Sequence, residues 1–362
     1  MLQAGDSSQD PMSRTTRKRE LAVDVGMTSS RKQEHLRICL DNDIEFSGSN
    51  GFEHYRFVHR ALPEVALNAI DTSTEFLGKR FELPFLIEAM TGGAQGTDGI
   101  NRNLARAAQE LGIGMGVGSQ RAMLEEPRLA YTYQVRDVAP NIFLLGNIGA
   151  AQLASYSIDQ ISSLVRGIGA DGLAVHLNPA QEISQPEGDT DWSHVPNAIE
   201  MLCKGVDFPV VAKEIGFGIS REVARKLEQA GVACVDVSGA GGTSWIRVEH
   251  YRGAKISSDF FEWGLQTAES LRQCREAVAI PLIASGGIRT GLECAKALAL
   301  GASLVGFALP LLRPALESHQ AVVERIQDFT RQLKMAMFLV GARDLEELKR
   351  ARILSENPVV LS

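Results

Sequence analysis

The chain has 362 residues, of which 44% are hydrophobic and 22% charged, and its formal net charge is −7. These values are typical of a globular protein and exclude a strongly basic nucleic-acid-binding surface or a disordered chain. The five cysteines form no CxxC pair, and no apolar stretch reaches the roughly 20 residues that span a bilayer. We therefore expect a cytoplasmic protein without disulfides, zinc, membrane partners or nucleic-acid partners.

Residues 1–30 are polar, have little to bury and are predicted to be a disordered tail. Residues 31–362 are predicted to form one domain with an N-terminal extension. The extension begins with a helix that carries Arg31, Lys32 and His35 close together. Basic side chains at the start of a helix oppose its dipole, so they suggest a bound anion. The alternative is a basic helix start that only faces solvent.

From residue 83 onward, short apolar segments alternate with helical ones. The eight predicted strands are 84–90, 113–117, 142–145, 173–177, 209–213, 234–237, 281–284 and 304–308. The predicted helices are 98–111, 127–138, 157–168, 195–204, 220–230, 265–277 and 290–300, with a helical tail to about 340 and a last helix at 344–353. Such alternation indicates βα units and a parallel sheet, and eight units close naturally into a barrel.

The predicted fold class is therefore α/β, a single (β/α)8 TIM barrel with an N-terminal helical arm. An open doubly wound sheet is the alternative. It is disfavoured because no GxGxxG fingerprint follows the first strand and because nearly every strand ends in polar or glycine-rich residues. The connection 239–265 is too long for an ordinary βα loop, which indicates a functional segment such as a lid.

Several strands end in side chains that can bind a polar heterocycle. Thr91, Ser119 and Asn147 offer hydrogen bonds, although each could also cap a helix. Lys213 ends an apolar strand, where a charged amine needs solvent or an anionic partner. It could form a Schiff base, neutralise the N1/O2 edge of a reduced flavin, or make a structural salt bridge to Glu214.

The fourth strand ends in an unusually polar segment. His176, Asn178, Gln181 and Glu182 follow one another within seven residues, at the edge of the sheet where ligands bind in parallel α/β folds. Together they can donate and accept hydrogen bonds and ligate a hard cation. A polar turn that caps a helix is the simpler alternative.

Two late loops predict a phosphate site. Ser285-Gly286-Gly287-Ile288-Arg289 follows the seventh strand and Gly306-Phe307-Ala308-Leu309 closes the eighth. The loops after these two strands are the usual phosphate site of such barrels, and glycines let the backbone approach the ligand closely. A capped helix after a tight glycine turn is the alternative.

Taken in order, these motifs resemble those of a known family. They are Ala89-Met90-Thr91-Gly92-Gly93, Gly118-Ser119-Gln120-Arg121, the segment 176–182, Lys213-Glu214, the segment 238–244 and the loop 285–289. Over about residues 31–345 the chain resembles the type 2 isopentenyl-diphosphate isomerases, which are FMN-dependent TIM barrels. The tail lies outside the resemblance.

The resemblance implies a role for each motif residue. FMN would be bound by Ala89, Met90, Thr91, Ser119, Asn147, Lys213, Ser238, Thr243, Gly286, Gly287, Arg289, Ala308 and Leu309. The diphosphate substrate would be bound by Arg31, Lys32, His35, Ser119, Gln120, Arg121, Asn178 and Gln181. The catalytic group would comprise Gln181, His176 and Asn178, and Glu182 would hold Mg²⁺.

The implied reaction interconverts isopentenyl and dimethylallyl diphosphate in isoprenoid biosynthesis, with reduced FMN, Mg²⁺ and NADPH as reductant. A homo-oligomer, tetramer or octamer, is also implied. The main alternative is an FMN-dependent 2-hydroxy-acid oxidase, but the segment 238–244 lacks the His that such enzymes need. An inosinate-dehydrogenase-like barrel would need a loop cysteine, and a phosphate-ligand sensor would not explain the polar segment 176–182.

Overall fold

The computed structural model describes residues 30–356, and the predicted tail therefore lies outside the described range except for Ser30. Within that range there are twelve strands. They are β1 Tyr55–Phe57, β2 Thr74–Phe76, β3 Lys79–Phe81, β4 Phe85–Ile87, β5 Gly114–Gly116, β6 Leu144–Gly149, β7 Gly172–His176, β8 Val210–Lys213, β9 Cys234–Asp236, β10 Leu282–Ala284, β11 Leu304–Phe307 and β12 Ile353–Ser355. Strands β4 to β11 are parallel and close a barrel in chain order, with β11 beside β4, which confirms the predicted (β/α)8 fold.

Helices surround the barrel. They are α1 (30–41), α2 Thr97–Leu111, α3 Arg121–Glu125, α4 Ile158–Ile168, α5 Pro179–Glu182, α6 Val195–Gly205, α7 Arg221–Gln229, α8 Trp245–Tyr251, α9 Thr267–Ala277, α10 Gly291–Ala299, α11 Leu309–Glu317, α12 His319–Val340 and α13 Leu345–Lys349. None of the helices between residues 30 and 356 combines the length and the apolar character that crossing a membrane requires.

Two predicted helices differ from the structure. The predicted helix 127–138 is wrong: the chain forms α3, then a 3-10 helix over Pro127–Thr132. A residue before proline is pushed out of the helical region, and Glu126 has φ −138° and ψ 87°, so α3 stops there. Within the predicted helix 344–353, only α13 is helical. The chain then extends into β12, which pairs with β1.

The barrel interior is built in layers. Side chains alternate along a strand, so residues two positions apart point the same way. The lower layer is apolar and packs on a cluster that includes Phe76, Phe81 and Phe143. It consists of Leu86, Leu145, Ala174, Val211, Cys234, Ile283 and Leu304. Two positions further along the same strands comes an upper layer nearer their carboxyl ends. It consists of Glu88, Asn147, His176, Lys213, Asp236, Ser285 and Gly306.

The C-terminal helix α12 is held to the barrel by stacked aromatic rings. Phe329 lies parallel to Phe307 with ring centroids 4.5 Å apart, and Phe307 meets Phe85 edge to face at 5.2 Å. Phe329 is fully buried. This stack joins α12 to the strands β11 and β4, where the barrel closes.

Replacing Phe329 with Ala should therefore remove about 3–5 kcal/mol of stability, because it leaves a cavity and breaks the stack. Urea unfolding followed by circular dichroism measures the loss. The matched control is Leu339→Ala on the same helix, whose side chain is exposed and should cost well under half as much. Equal losses in the two variants would contradict the closing role of Phe329.

Candidate active site

A cavity that is open to solvent lies at the carboxyl ends of the barrel strands, with α1 contributing to its wall. The structure brings almost all of the predicted site residues to this cavity. Those lining it are Arg31, Lys32, His35, Ala89, Met90, Thr91, Ser119, Arg121, Asn147, His176, Asn178, Gln181, Glu182, Lys213, Ser238, Thr243, Gly286, Gly287, Arg289, Ala308 and Leu309.

Gln120 is the exception and corrects the prediction of a substrate contact. Its side chain is fully buried, accepts a hydrogen bond from the backbone N–H of Asn147 (2.9 Å) and donates one to the carbonyl of Leu164 (3.0 Å). Gly146 leaves room for it, since a Cβ there would lie 2.6 Å from the Gln120 oxygen. Gln120 therefore positions β6 and does not face the ligand.

The amine of Lys32 is surrounded by three oxygen atoms. Its Nζ donates to the carbonyls of Gly92 (2.6 Å) and Ser119 (2.6 Å) and to the hydroxyl of Tyr133 (2.8 Å). Tyr133, which the sequence did not single out, in turn donates to the Ser119 carbonyl (2.7 Å). Burial, assisted by the charge of Arg31, lowers the pKa of Lys32 to about 7. The proton of this amine is therefore weakly held until an anion arrives.

Glu249 on α8 is the second residue that sequence reasoning missed. Its carboxylate is fully buried and lies 2.9 Å from Nε2 of His35. It also accepts hydrogen bonds from Gln181 (2.9 Å), Gln185 (2.6 Å) and Arg252 (3.0 Å). Burial alone would raise the pKa of Glu249, but His35, then Gln181 and Arg252, lower it to about 2. Its only sequence signal was its place in the long connection 239–265.

Glu182 stands beside an oxygen atom that lacks a partner. Its carboxylate accepts from the side-chain amide of Asn178 (2.9 Å) and from the backbone N–H of Asp189 (2.8 Å). The Oδ1 atom of Asn178 is buried and has no hydrogen-bond partner. Between residues 30 and 356 no cluster of three acidic, His or Cys side chains could hold a metal. A single carboxylate with neighbouring oxygens suits a hard cation that is also bound by substrate phosphates.

His176 is a neutral imidazole in this setting. Its Nδ1 lies 2.7 Å from Oδ1 of Asn147, whose amide nitrogen donates to the carbonyl of Val117. Nδ1 must therefore carry the hydrogen, which leaves Nε2 as an acceptor. Burial, then the charges of Lys213 and Lys32, lowers the pKa of His176 to about 3. At neutral pH it can accept a hydrogen bond but has no proton to give from Nε2.

Lys213 on β8 is paired with two acids, Asp236 on the adjacent strand β9 and Glu88 just after β4, which lies across the barrel. Its Nζ lies 3.4 Å from Glu88 and 3.5 Å from Asp236, and it donates to the backbone carbonyl of Glu214 (2.9 Å). Burial lowers the pKa of Lys213, but the three carboxyl groups outweigh it and raise the pKa. An amine that stays protonated is a poor nucleophile, so the Schiff-base interpretation is disfavoured.

Comparisons with known proteins agree with this site. Residues 43–134 and 166–355 match the model of the FMN-dependent dehydrogenase family. The isopentenyl-diphosphate delta-isomerase of Pyrococcus furiosus is 48% identical over 341 residues, which cover 90% of this chain and 86% of that protein. The enzyme of the same name from Methanoregula boonei is 48% identical over 90% of this chain and 93% of its own length.

The chain belongs to the FMN-dependent isopentenyl-diphosphate delta-isomerases. Solved structures show the shared fold at low identity. A mandelate oxidase with (S)-2-phenylpropionate matches with a TM-score of 0.63 at 20% identity, covering 92% of this chain and 98% of that one. A flavocytochrome b2 variant matches with a TM-score of 0.62 at 20% identity, covering 83% and 76%.

The helices α10 and α11, which follow the loops after β10 and β11, begin differently. At α10, Thr290 and Glu293 form a capping box, so the predicted alternative of a capped helix holds there. At α11 no side chain caps the start, and Ala308 and Leu309 line the cavity. In the first turn of α11, Pro310 has no N–H and that of Leu311 donates to Ala308, so the N–H of Leu309 is the one that can donate to an anion.

Close packing requires the two glycines in the loop after β10. Gly286 and Gly287 have φ of 101° and 70°. A Cβ at Gly286 would lie 2.1 Å from the carbonyl of Gly239, and one at Gly287 would lie 2.3 Å from that of Gly241. The loops after β9 and β10 thus interlock and leave backbone exposed to the cavity. Arg289 forms an ion pair with Glu45 at the same edge.

Glu249 provides a test of the site's electrostatics. Because its pKa is lower in the folded protein than in the unfolded chain, its contribution to stability is present above about pH 4.5 and disappears as the pH falls towards 2. Compared with Glu249→Gln, the wild type should be on the order of 2–3 kcal/mol more stable at pH 7. That difference should shrink between pH 4.5 and 3 in urea titrations.

Glu34→Gln is the matched control, because Glu34 contacts the same Arg252 but is exposed. It should change stability by less than about 1 kcal/mol at every pH. A pH-independent difference between the wild type and Glu249→Gln would show that Glu249 is not held ionised.

Proposed function

We propose that this protein interconverts isopentenyl and dimethylallyl diphosphate by a 1,3-allylic proton shift that uses reduced FMN and Mg²⁺. The observation that carries this proposal is the arrangement of one cavity. Glycine loops and the uncapped α11 stand at the ends of β10 and β11. In the closed order of eight strands, β7 with Glu182 just beyond it lies across the barrel from β11. One side therefore suits a flavin phosphate and the other a metal-bound diphosphate.

The residues present fit FMN. Backbone of Gly286, Gly287 and Leu309 would hold the phosphate, while Thr91 and Asn147 would bind the edge of the ring. Lys213 would face its N1/O2 side, where a positive charge stabilises the reduced anionic form. Reduced FMN, when bound, supplies at N5 a group that can deliver a proton to one substrate carbon and recover one from another. The exposed backbone, glycine packing and buried cation all support this assignment.

The residues on the other side fit a diphosphate with Mg²⁺. The side chains of Arg31 and Arg121 line the cavity and are partly exposed, so both can reach an anion there. Lys32 would gain a full charge beside the phosphates, because a neighbouring anion raises the pKa of an amine. Glu182 and the unpartnered Oδ1 of Asn178 would contribute oxygen ligands to the metal.

The apolar end of the substrate would then lie near Gln181. The ionised Glu249 orients the Gln181 amide and holds His35 at 2.9 Å. A fixed negative charge behind these groups stabilises positive charge that develops on the alkene carbons. His176 donates from Nδ1 to Oδ1 of Asn147 and so keeps Asn147 oriented, without protonating the substrate from Nε2.

The rival reactions find less support. A 2-hydroxy-acid oxidase would need a His in the segment that follows β9, and that segment has none. Cys39 on α1 does line the cavity, but burial and the charge of Glu249 raise its pKa to about 12. A thiol in that state is not the activated nucleophile that an inosinate-dehydrogenase-like reaction needs.

The finer expectations are also part of the proposal. NADPH is the proposed reductant, the cytoplasm the proposed location and a tetramer or octamer the proposed assembly. Residues 31–362 are proposed to form the barrel domain with its extension. The five described cysteines are free, which agrees with a reducing compartment.

The reaction itself can be tested by isotope exchange. Dithionite-reduced holoprotein with Mg²⁺ in deuterium oxide should incorporate deuterium into isopentenyl diphosphate and form dimethylallyl diphosphate without net oxidation. Mass spectrometry of the recovered diphosphates measures both. Oxidised holoprotein is the control and should be inactive. Absence of exchange in the reduced protein would exclude the isomerase reaction.

The metal role of Glu182 predicts a specific defect. Glu182→Gln should raise the Mg²⁺ concentration for half-maximal activity at least tenfold, because the carboxylate proposed to hold the metal is lost. Gln181→Ala should instead lower kcat with little change in Mg²⁺ dependence. Glu187→Gln, a nearby exposed carboxylate that pairs with Arg252, is the matched control. An unchanged Mg²⁺ requirement in Glu182→Gln would refute the assignment.

A further inference from the structure

Two buried carboxyl groups lie beside Lys213 and have no part in the proposed reaction. Glu88 and Asp236 are 5% and 1% exposed. Each contacts the single ammonium of Lys213, at 3.4 Å and 3.5 Å. If both acids were ionised, this part of the barrel would carry an uncompensated negative charge in a buried position. Such a charge is costly, and a shared proton is the usual way to remove it.

The two carboxyl groups are not equivalent. Oδ1 of Asp236 accepts hydrogen bonds from the hydroxyl of Ser285 (2.7 Å) and from the backbone N–H of Ser238 (3.3 Å). These donors favour the ionised form of Asp236. Glu88 has no such donor apart from Lys213. The asymmetry makes Glu88 the acid that keeps a proton.

Two oxygen atoms of the pair lack hydrogen-bond partners. Oε1 of Glu88 and Oδ2 of Asp236 are both buried and unpartnered. A carboxylate can only accept hydrogen bonds, whereas a protonated carboxyl also donates one. A single proton on either acid would therefore supply the missing donor, and the hydrogen bonds that Asp236 accepts favour placing it on Glu88. Burial, then repulsion by Asp236, raises the pKa of Glu88 to about 8, against the opposing effect of Lys213.

Of the groups around the pair, Glu214 also acts on Lys213, and its titration is common to the wild type and Glu88→Gln. Cys234 is a thiol, because burial and the two acids raise its pKa well above the ordinary value. His176 on β7 is neutral. The Glu214 carboxyl is occupied by three backbone N–H groups, and burial raises its pKa to about 7. On β11 the position next to Glu88 is Gly306, where a Cβ would lie only 2.1 Å from Oε1 of Glu88.

We propose that Glu88 and Asp236 share one proton carried by Glu88, and that this pair sets the net charge behind Lys213 and with it the reduction potential of the flavin. The proposal rests on the proposed FMN site. With the proton present, one carboxylate balances one ammonium and the cluster is neutral. When the proton is lost at high pH, the cluster carries −1 and disfavours an anionic reduced flavin at the N1 side of the ring. Glu88 would act on the flavin only through the charge around Lys213, so it is a positioning residue and not a catalytic one.

The test measures the midpoint potential of bound FMN in the holoprotein from pH 6 to 10. Glu88→Gln mimics the protonated acid. It should leave the potential unchanged at pH 6.5 and lie above the wild type at pH 9.5, by at least a tenfold change in the two-electron equilibrium constant, or about 30 mV. Parallel pH profiles of the wild type and Glu88→Gln would overturn the proposal.

A second measurement does not depend on the flavin or on turnover. Infrared spectra of the protein at pH 7 should contain the C=O band of a protonated carboxylic acid that disappears in Glu88→Gln and in wild type titrated to pH 10. Subtracting the spectrum of Glu88→Gln from that of the wild type at pH 7 removes the contribution of Glu214, which both proteins contain. A difference spectrum without this band would overturn the shared proton.

The two measurements separate the possible failures. If FMN does not bind, the proposed function fails while the infrared band remains. If FMN binds and isomerisation occurs but the band is missing, only the role of Glu88 fails. Should Glu88→Gln not fold, a wild-type potential that falls more steeply above about pH 8 supports the proposal, and a fall of constant slope overturns it.

Discussion

The structure depends on one constraint, the alternation of side chains along eight parallel strands that close into a barrel. Because side chains alternate along a strand, the residues two positions after the apolar lower layer point into the same interior. Leu86 and Cys234 thus place Glu88 and Asp236 at the base of the cavity, and Val211 places Lys213 between them. Because these side chains point into a closed barrel, they cannot turn towards solvent at the edge of a sheet. Their charges must therefore balance one another locally.

The cavity has two electrostatic ends that are set by different parts of the chain. At the flavin side the charges belong to the strands, and a buried ammonium is balanced by acids behind it. At the substrate side they belong to added segments: α1 carries Lys32 and His35, and α8 carries Glu249. Glu249 holds the two segments together through His35 and through Gln181 on the loop after β7. In the proposed function the barrel would supply the flavin site, and the added helices would supply the second anion site.

Sequence reasoning worked where the signal is local and failed where contacts join distant elements. Asn147 and Lys213 were predicted because apolar runs stop at or just before them, and the fold brings such positions to one cavity. Glu88 and Asp236 could have been found by counting two residues beyond the buried positions of their strands. Tyr133 gave no such signal, because its hydroxyl reaches Lys32 only through tertiary packing. Gln120 lies in a matching motif, yet its side chain turns inward to hydrogen bond Asn147 and Leu164.

The likeness to mandelate oxidase at 20% identity shows how a shared barrel can serve a different reaction. An oxidase must remove a proton and two electrons from its substrate, so it needs a base at a fixed place above the flavin. Here the corresponding region after β9 is a glycine-rich turn locked against Gly287, which leaves no side chain to act as that base. The substrate side instead offers amide groups, a neutral imidazole and a buried carboxylate. Groups of this kind orient a substrate and stabilise positive charge, but they do not accept electrons. The chemistry therefore falls to the cofactor, and the protein's main task is to control the charge on either side of it.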